Sequence, residues 1–513
     1  MQHLAIAPPL SSKRWRWGLN PVSMKSGEAQ CRIFVTKNAR RVWYSKKLRI
    51  PRARLSKVII LAAMLWGQNQ IGECLAQQTT NIYGGQGNMF LSQFANPALI
   101  GALYQMPDWP MTGYYPLYPG AVLPVIPEDG VRLLEPLKLH PMMGVAQMYT
   151  DNVFRTQTKR KSDFFTTLAP GIQAQLPFGG THTFLVDYRT NLQSYANTPS
   201  SDVQDQTASG RFKLDFPGGL NLDLAGEHKL GHDPRGTALD TRALEINKWQ
   251  ANSFIGQAEY VGAQSSIRMN LRSTRMTYLA SSGQGPIQSR LINYAGLTFS
   301  RDASPKTSLL ANVGVTQQIY DENKNLDSAL YQISGGAKWN VSELTSGQIL
   351  IGIQHLQFTN AQVNQPPPVL SRFTRTEDVF TNFFVVGNMV WTPTSLLTIT
   401  LQPYRTVQQT AVLTSLFFVA TGANLGASHM LTDSTTLTLN VGLEQDAFTS
   451  ASGDTSSSNN RTDLLKNVSL GAKYRAVKWL GLGFQYIFED RGSTQETFKY
   501  QANTFMISAQ TLF

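Results

Sequence analysis

His228 and His232 stand four residues apart, a spacing that pairs two imidazoles on one metal when the backbone is helical. On a strand that spacing opens to about 13 Å, and the other histidines after His140, namely His182, His355 and His429, are scattered, so no metal site is expected. Asp321-Glu-Asn-Lys-Asn-Leu-Asp327 opens like a calcium loop, with oxygen side chains at alternate positions. It has Leu326 where such a loop turns on glycine and Gln332 where it closes on an acid, so it reads as an exposed loop of turn formers. Asp151-Asn152 reads the same way, as the start of an Asx turn. No glycine-rich phosphate loop follows a strand, and no G-x-S-x-G elbow is present. The sequence therefore predicts no catalytic residue, no cofactor and no metal.

The remaining chemistry is charge on alternate residues. Phe184, Val186 and Tyr188 alternate with Asp187 and Arg189; Phe212, Leu214 and Phe216 with Arg211, Lys213 and Asp215; Leu220, Leu222 and Leu224 with Asp223. Glu227 and Lys229 continue that parity. Ile267, Met269 and Leu271 alternate with Arg268 and Arg272, and the segment 467–489 places Lys473, Arg475 and Glu489 opposite its own apolar set. A period of two gives a strand an apolar face and a polar one. These charges are expected to line a wet interior, because turning so many of them to lipid is prohibitive. Arg211, Lys213, Arg268 and Arg272 are further expected to form an uncompensated basic patch there.

The elements that must hold these residues follow from the turns. Pro177-Phe-Gly-Gly180, Pro217-Gly-Gly219, Gly262-Ala-Gln264, Ser304-Pro305, Ser342-Glu-Leu-Thr345, Pro393-Thr-Ser395, Thr432-Asp-Ser434 and Ala476-Val-Lys478 punctuate residues 137–513. Between them lie longer polar connectors at 197–202, 232–236, 364–369 and 450–460. Short turns on one side and long loops on the other describe a transmembrane antiparallel β-barrel of about 18 strands, with 16 as the alternative. Strands of about 10–14 residues with no second layer to cover them favour this over a soluble sheet.

The formal charge of +12 does not point to nucleic acid. Residues 1–57 hold 14 Lys+Arg against the single acid Glu28, and beyond residue 76 the two signs balance. The basic head, the apolar run Val58-Ile-Ile-Leu-Ala-Ala-Met-Leu-Trp66 and the small-residue end Cys74-Leu75-Ala76 read as a secretory signal cleaved between Ala76 and Gln77. The run is too short to span a bilayer, which takes about 20 residues. Cys31 and Cys74 both fall in the segment to be removed, leaving no thiol for disulfides. Residues 77–136 crowd prolines, glycines and tyrosines without a period and are expected to be irregular, as a tether or a lumen plug. At the other end Phe505, Ile507, Ala509, Thr511 and Phe513 share a strand face, and a terminal Phe on such a strand is read as a signal to barrel-assembly machinery. Phe505 and Phe513 are the residues assigned to that signal.

One segment goes beyond pattern. Residues 137–156 resemble the first strand and loop of an outer-membrane β-barrel porin family found among exopolysaccharide-biosynthesis operon proteins. The residues that carry the likeness are Pro141, Gly144, Val145, Asp151, Asn152, Val153 and Phe154. The resemblance implies a bacterial outer-membrane barrel over residues 137–513 and polysaccharide traffic. Taken with the charged inner parity, the expected function is passage of hydrophilic solutes linked to exopolysaccharide export. The expected partners are outer-membrane lipid and the assembly machinery, from the strand pattern, with polysaccharide and export-system proteins implied by the resemblance, and no nucleic acid. The alternative is a closed structural or adhesive barrel working through its extracellular loops; an enzyme ranks third.

Overall fold

The computed structural model describes residues 16–21, 31–37, 40–44, 131–134, 136–236, 246–279, 288–342, 344–359, 379–409, 415–450 and 461–512. The chain divides into two units, Met1–Gly72 and Glu73–Phe513. In the first, β1 (Arg16–Pro21), β2 (Cys31–Lys37) and β3 (Arg40–Tyr44) form a small antiparallel sheet in that order. It lies within the stretch read as a basic leader; the Ala76/Gln77 junction lies outside the described residues.

The second unit is a closed antiparallel barrel. It begins with a short strand β4 (Val131–Leu134), then β5 (Leu137–Thr150), β6 (Asp163–Phe178), β7 (His182–Tyr195), β8 (Val203–Phe216) and β9 (Leu220–His232). Next come β10 (Lys248–Val261), β11 (Ser265–Leu279), β12 (Arg290–Ser304), β13 (Thr307–Tyr320), β14 (Ser328–Ser342) and β15 (Thr345–Phe358). The circuit finishes with β16 (Val379–Thr394), β17 (Leu397–Gln409), β18 (Ser415–Thr432), β19 (Thr435–Ser450), β20 (Thr462–Val477), β21 (Leu480–Ser493) and β22 (Tyr500–Leu512). Strands β5 to β22 are the 18 that the turn count gives, each paired with its sequence neighbour. They run from 13 residues in β9 to 18 in β18, the longer ones exceeding the 10–14 that the sequence suggested.

All eight predicted turns fall at the same end of the barrel. Gly179 and Gly180 (φ +58° and +85°) and Gly218 and Gly219 (+91° and +89°) take left-handed backbone that other residues rarely adopt. A Cβ on Gly219 would lie 2.2 Å from the Val261 carbonyl oxygen. That close approach has a purpose, since Val261 N–H donates to Gly219 O at 2.8 Å. The carbonyls of Gln264, Lys306, Leu344, Leu396 and Ser434 accept bonds from the next hairpin in the same way, lacing the short-turn rim together.

The barrel closes where β22 meets β5, from Leu512↔Met142 to Thr504↔Thr150. Below Leu512 the edge of β5 is taken over by β4, paired at Val131↔Leu139. The segment read as irregular through residue 136 thus contains a short strand, Val131–Leu134, on the part of the β5 edge that β22 does not pair. At the long-loop end Asp151 accepts Asn503 N–H and Nδ2–H, both at 2.7 Å. Asn152, with no exposed surface, donates to the carbonyls of Gln501 (2.8 Å) and Thr156 (2.7 Å) and accepts Thr156 N–H at 3.0 Å. The Asp-Asn pair is therefore the clasp between first and last strands as well as a turn former. Phe505 and Ile507 face outward, as expected, with Met506 buried between them; Phe513 lies outside the described residues.

Outside, register partners form apolar rows. Met269, Leu297, Val313, Ile333, Ile353 and Phe383 are successive partners across six strands, and all are exposed. No helix among the described residues is long and apolar enough to cross a membrane; the strands carry the apolar surface instead.

Candidate functional site

The charges predicted to face inward lie on the parity opposite the exposed apolar residues. Most stand in close acid–base pairs along β7 to β11. Asp187 pairs with Arg189 at 2.6 Å, Arg211 with Asp223 at 2.5 Å, Lys213 with Asp215 at 3.4 Å and Glu227 with Lys229 at 2.8 Å. Arg268 pairs with Glu259 at 2.7 Å, a partner the sequence reading did not single out, and Arg272 lies 4.0 Å from Glu227. The uncompensated basic patch expected of Arg211, Lys213, Arg268 and Arg272 does not exist. Antiparallel register sets Arg268 beside Glu259 and brings Arg211 within reach of Asp223, while Lys213 meets Asp215 two residues along its own strand. Lys473 sits low on the inward parity, and Arg475 is exposed at the short-turn rim, donating to the Asp433 carbonyl at 2.6 Å. Glu489 stands near the opposite mouth, 2.6 Å from Arg155 of the β5–β6 loop.

The facing wall has another character. Leu310, Leu350, Phe384, Val386, Tyr404, Phe418, Ala420 and Phe448 form one buried cluster on the inward face of β13 to β19. A second gathers Met142, Ala146, Met148, Phe165, Ala169 and Met506 beside the closure. Alternation alone did not reveal this wall. Its signal is the apolar run that breaks alternation: Ile349-Leu350-Ile351, Phe383-Phe384-Val385-Val386, Phe417-Phe418-Val419. Such runs mark strands apolar on both faces. The lumen is amphipathic, charged on one side and apolar on the other.

At the long-loop mouth the β9–β10 connection reaches across to β21 and β22. Gly236 O accepts Arg491 Nη1–H at 2.6 Å and Tyr500 Oη–H at 3.3 Å. A Cβ on Gly236 (φ +81°) would lie 2.6 Å from Tyr500 Oη, so glycine is required for this approach. Arg491, 1 % exposed, also pairs with Asp463, which is fully buried. Arg461 Nε lies 3.1 Å from the same carboxylate, and its guanidinium sits between the rings of Phe448 (3.6 Å) and Phe498 (3.8 Å). Arg235 lies 4.9 Å over the ring of Phe154, joining the strap to the β5–β6 loop. Pro234 and Gly236 signalled a loop in the sequence, but its anchoring across the mouth depends on contacts some 250 residues distant.

The strap is hinged on Asp233, which receives Trp249 Nε1–H at 3.1 Å and lies within 3.5 Å of Asn247 Nδ2 and Tyr278 Oη. Burial pushes its carboxyl from the ordinary 3.8 up to about 7, against the opposing pull of Arg290 and its hydrogen-bond donors. Between about pH 4 and 7 the folded hinge keeps a proton that the unfolded chain has lost. Its local stability is therefore greatest at the acid end, falls as pH rises through that window and is level above it. Hydrogen exchange over residues 231–236, corrected for intrinsic chemistry, should be slower at pH 5 than at pH 8. In Asp233→Asn the difference should vanish; the same pH dependence in both proteins would contradict the assignment.

The residues considered for metals have other work. His228 Nδ1 lies 2.7 Å from Asn252 Oδ1 and His232 Nδ1 2.8 Å from Asp205 Oδ1. Asp321 pairs with Arg275 at 2.5 Å, and Asp327 accepts Tyr320 N–H at 2.6 Å. Among the described residues no group of three His, Cys, Asp or Glu is placed to hold a metal ion.

A family model described as "Putative beta-barrel porin 2" matches residues 138–512. No curated protein matches the chain. Among solved structures, the outer-membrane protein OpdK of Pseudomonas aeruginosa superposes with a TM-score of 0.42 at 9 % identity, covering 73 % of this chain and 99 % of that one. A mutant of the ferric enterobactin receptor PfeA from the same organism gives 0.40 at 10 %, covering 73 % and 80 %. The FrpB iron transporter of Neisseria meningitidis gives 0.39 at 10 %, covering 72 % and 81 %. These likenesses are too remote to carry a function across.

Proposed function

The chain belongs to the family described as "Putative beta-barrel porin 2", and from that premise we propose that its barrel gives passage to hydrophilic solutes and serves exopolysaccharide export. It is a porin-like barrel of the bacterial outer membrane; on this reading its short turns face the periplasm and its long loops the outside, as in other such barrels. A porin family supports a non-enzymatic role. The observation that carries the proposal is the ladder of ion pairs along the inner face of β7 to β11. Pairs of this kind keep a wall wettable while presenting little net charge, suiting polar solutes of either sign or none. The partners that go with this reading are outer-membrane lipid, the machinery that reads the last strand, polysaccharide and export-system proteins.

Removing one acid tests the path. Asp223→Asn leaves the Arg211 guanidinium without its carboxylate, so reversal potentials should move toward anion preference, most at low salt where screening is weakest. An unchanged potential in the folded variant would mean that ions do not pass this wall. The export link has its own check: a deletion strain should secrete less polymer, and normal secretion would sever it. A closed barrel acting through its loops is the second reading. It is favoured by the buried inner wall of β13 to β19 and by the strap anchored across the mouth.

A further inference from the structure

The wall between β16 and β17 is not a continuous ladder. Its pairs climb from Thr394↔Leu397 to Val385↔Arg405 and skip the step at Pro403. Proline has no N–H to give a ladder, and Gly387 admits its ring: a Cβ there would lie 3.1 Å from Pro403 Cγ. Above Arg405, β16 continues to Val379 and β17 to Gln409 with no pair between them. Their other edges stay paired, β16 to β15 as far as Val379↔Gln357 and β17 to β18 as far as Gln409↔Phe417.

The released end of β17 turns inward. Val407 N–H donates to Gln354 Oε1 of β15 at 3.0 Å, and Thr406 Oγ1 bonds the same side-chain amide at 3.2 and 3.3 Å. Gln354 is on the inner face, since Ile351 and Ile353 point out. Val407, Phe417 and Val419 continue the outward parity of Leu401, yet they are buried in one cluster with Tyr320, Leu356 and Phe358. The two edges therefore overlap, β17–β18 lying inside β13–β16. Apolar contact, the Gln354 amide and one bond from Arg405 to Asn382 join them where every neighbouring pair has a ladder.

The lap begins at membrane height, because Phe383 belongs to the exposed apolar row outside the barrel. On its inner side Phe384 and Phe418 belong to the apolar wall that a purely hydrophilic pore does not need. Arg405 stands at the fork, donating to Thr421 Oγ1 at 2.5 Å and Asn382 Oδ1 at 3.1 Å, with no carboxylate partner among the described residues. Parting a β-ladder in lipid would strand N–H and C=O groups where no water can satisfy them. Parting the lap exposes mostly apolar side chains, which an acyl chain can cover as well as they cover each other.

We propose that the lap between β16 and β17 is a lateral portal for a single-chain anionic amphiphile of the fatty-acid type. The acyl chain slips between the apolar inner wall and the outer leaflet, and the carboxylate docks on Arg405. This route is separate from the polar path along β7 to β11 and does not depend on it.

Gln354→Cys with Thr406→Cys, in a chain with Cys31→Ser and Cys74→Ser, should allow the lap to be locked by oxidation. The probe is palmitate carrying a diazirine on its chain, photolysed with the full chain in phosphatidylcholine nanodiscs. Peptides containing Phe384 or Phe418 should be labelled in the unlocked protein. Oxidation should cut that labelling at least tenfold and reductant should restore it, while labelling around Ile333 on the outer face stays constant. Arg405→Ala should lower inner-wall labelling several-fold. Ion conductance of the oxidised protein should be unchanged, which keeps this result distinct from the fate of the polar path. Equal inner-wall labelling before and after oxidation, or none in the unlocked protein, overturns the proposal. If the double variant fails to fold, Gln354→Ala decides: faster inner-wall labelling supports the portal, and an unchanged rate overturns it.

Discussion

Ile333→Arg should nearly abolish folded protein in the outer membrane. Ile333 is 62 % exposed on the outer face, in the middle of the row that runs from Met269 to Phe383. A basic side chain on a lipid-facing strand position costs about 2–4 kcal/mol near the mid-plane of the bilayer. The companion variant is Ser209→Arg, on the inner face of β8 opposite Glu227, where the added cation finds an acid and water. It should insert as the unaltered chain does. Heat-modifiability of the barrel on gels reads both outcomes. Normal insertion of Ile333→Arg together with failure of Ser209→Arg would mean that the two faces have been assigned the wrong way round.

Arg491→Ala should destabilise the barrel mouth and widen it. The side chain holds the buried Asp463 and the Gly236 carbonyl together, so its loss leaves a carboxylate without its closest partner and frees the strap. Breaking a buried ion pair typically costs about 3–5 kcal/mol. The cost here should fall at the lower end, because Arg461 Nε remains 3.1 Å from the same oxygen. Urea midpoints in detergent should drop, and exchange in the β9–β10 strap should accelerate. Single-channel conductance should rise if the strap obstructs the passage. Unaltered strap exchange would show that Gly236 is held by other contacts.

The sequence made the frame of this barrel readable because turns and parity are local. Pro-Gly-Gly at 217–219 and Thr-Asp-Ser at 432–434 need nothing distant to turn the chain, and a period of two states which residues share a face. The inward parity of Arg211 or Arg268 followed directly. Their neutralisation did not, since it depends on which residue register sets beside each one, and register spans strands. Glu259, for example, meets Arg268 only because β10 and β11 pair as they do. The apolar inner wall was present in the sequence as runs such as Phe383-Phe384-Val385-Val386, but alternation is blind to a strand that is apolar on both sides. Pro403, in β17, has no N–H to give a ladder, but nothing was drawn from it in the sequence. That the wall laps there, and which residue receives Val407, depend on a contact with β15, 53 residues away, that no local pattern encodes. The Asp151-Asn152 pair was legible as a turn; its role as clasp needed β22 to arrive beside it.

Conductance measures most directly whether polar solutes cross this barrel. Purified, heat-modifiable protein added to a planar bilayer should give stable, ohmic single-channel steps. Asp223→Asn, folded to the same extent, should shift the reversal potential toward anions in a dilute salt gradient. Folded protein that inserts yet carries no current, with the strap intact and again in Arg491→Ala, would contradict the passage and leave a closed barrel that works through its loops.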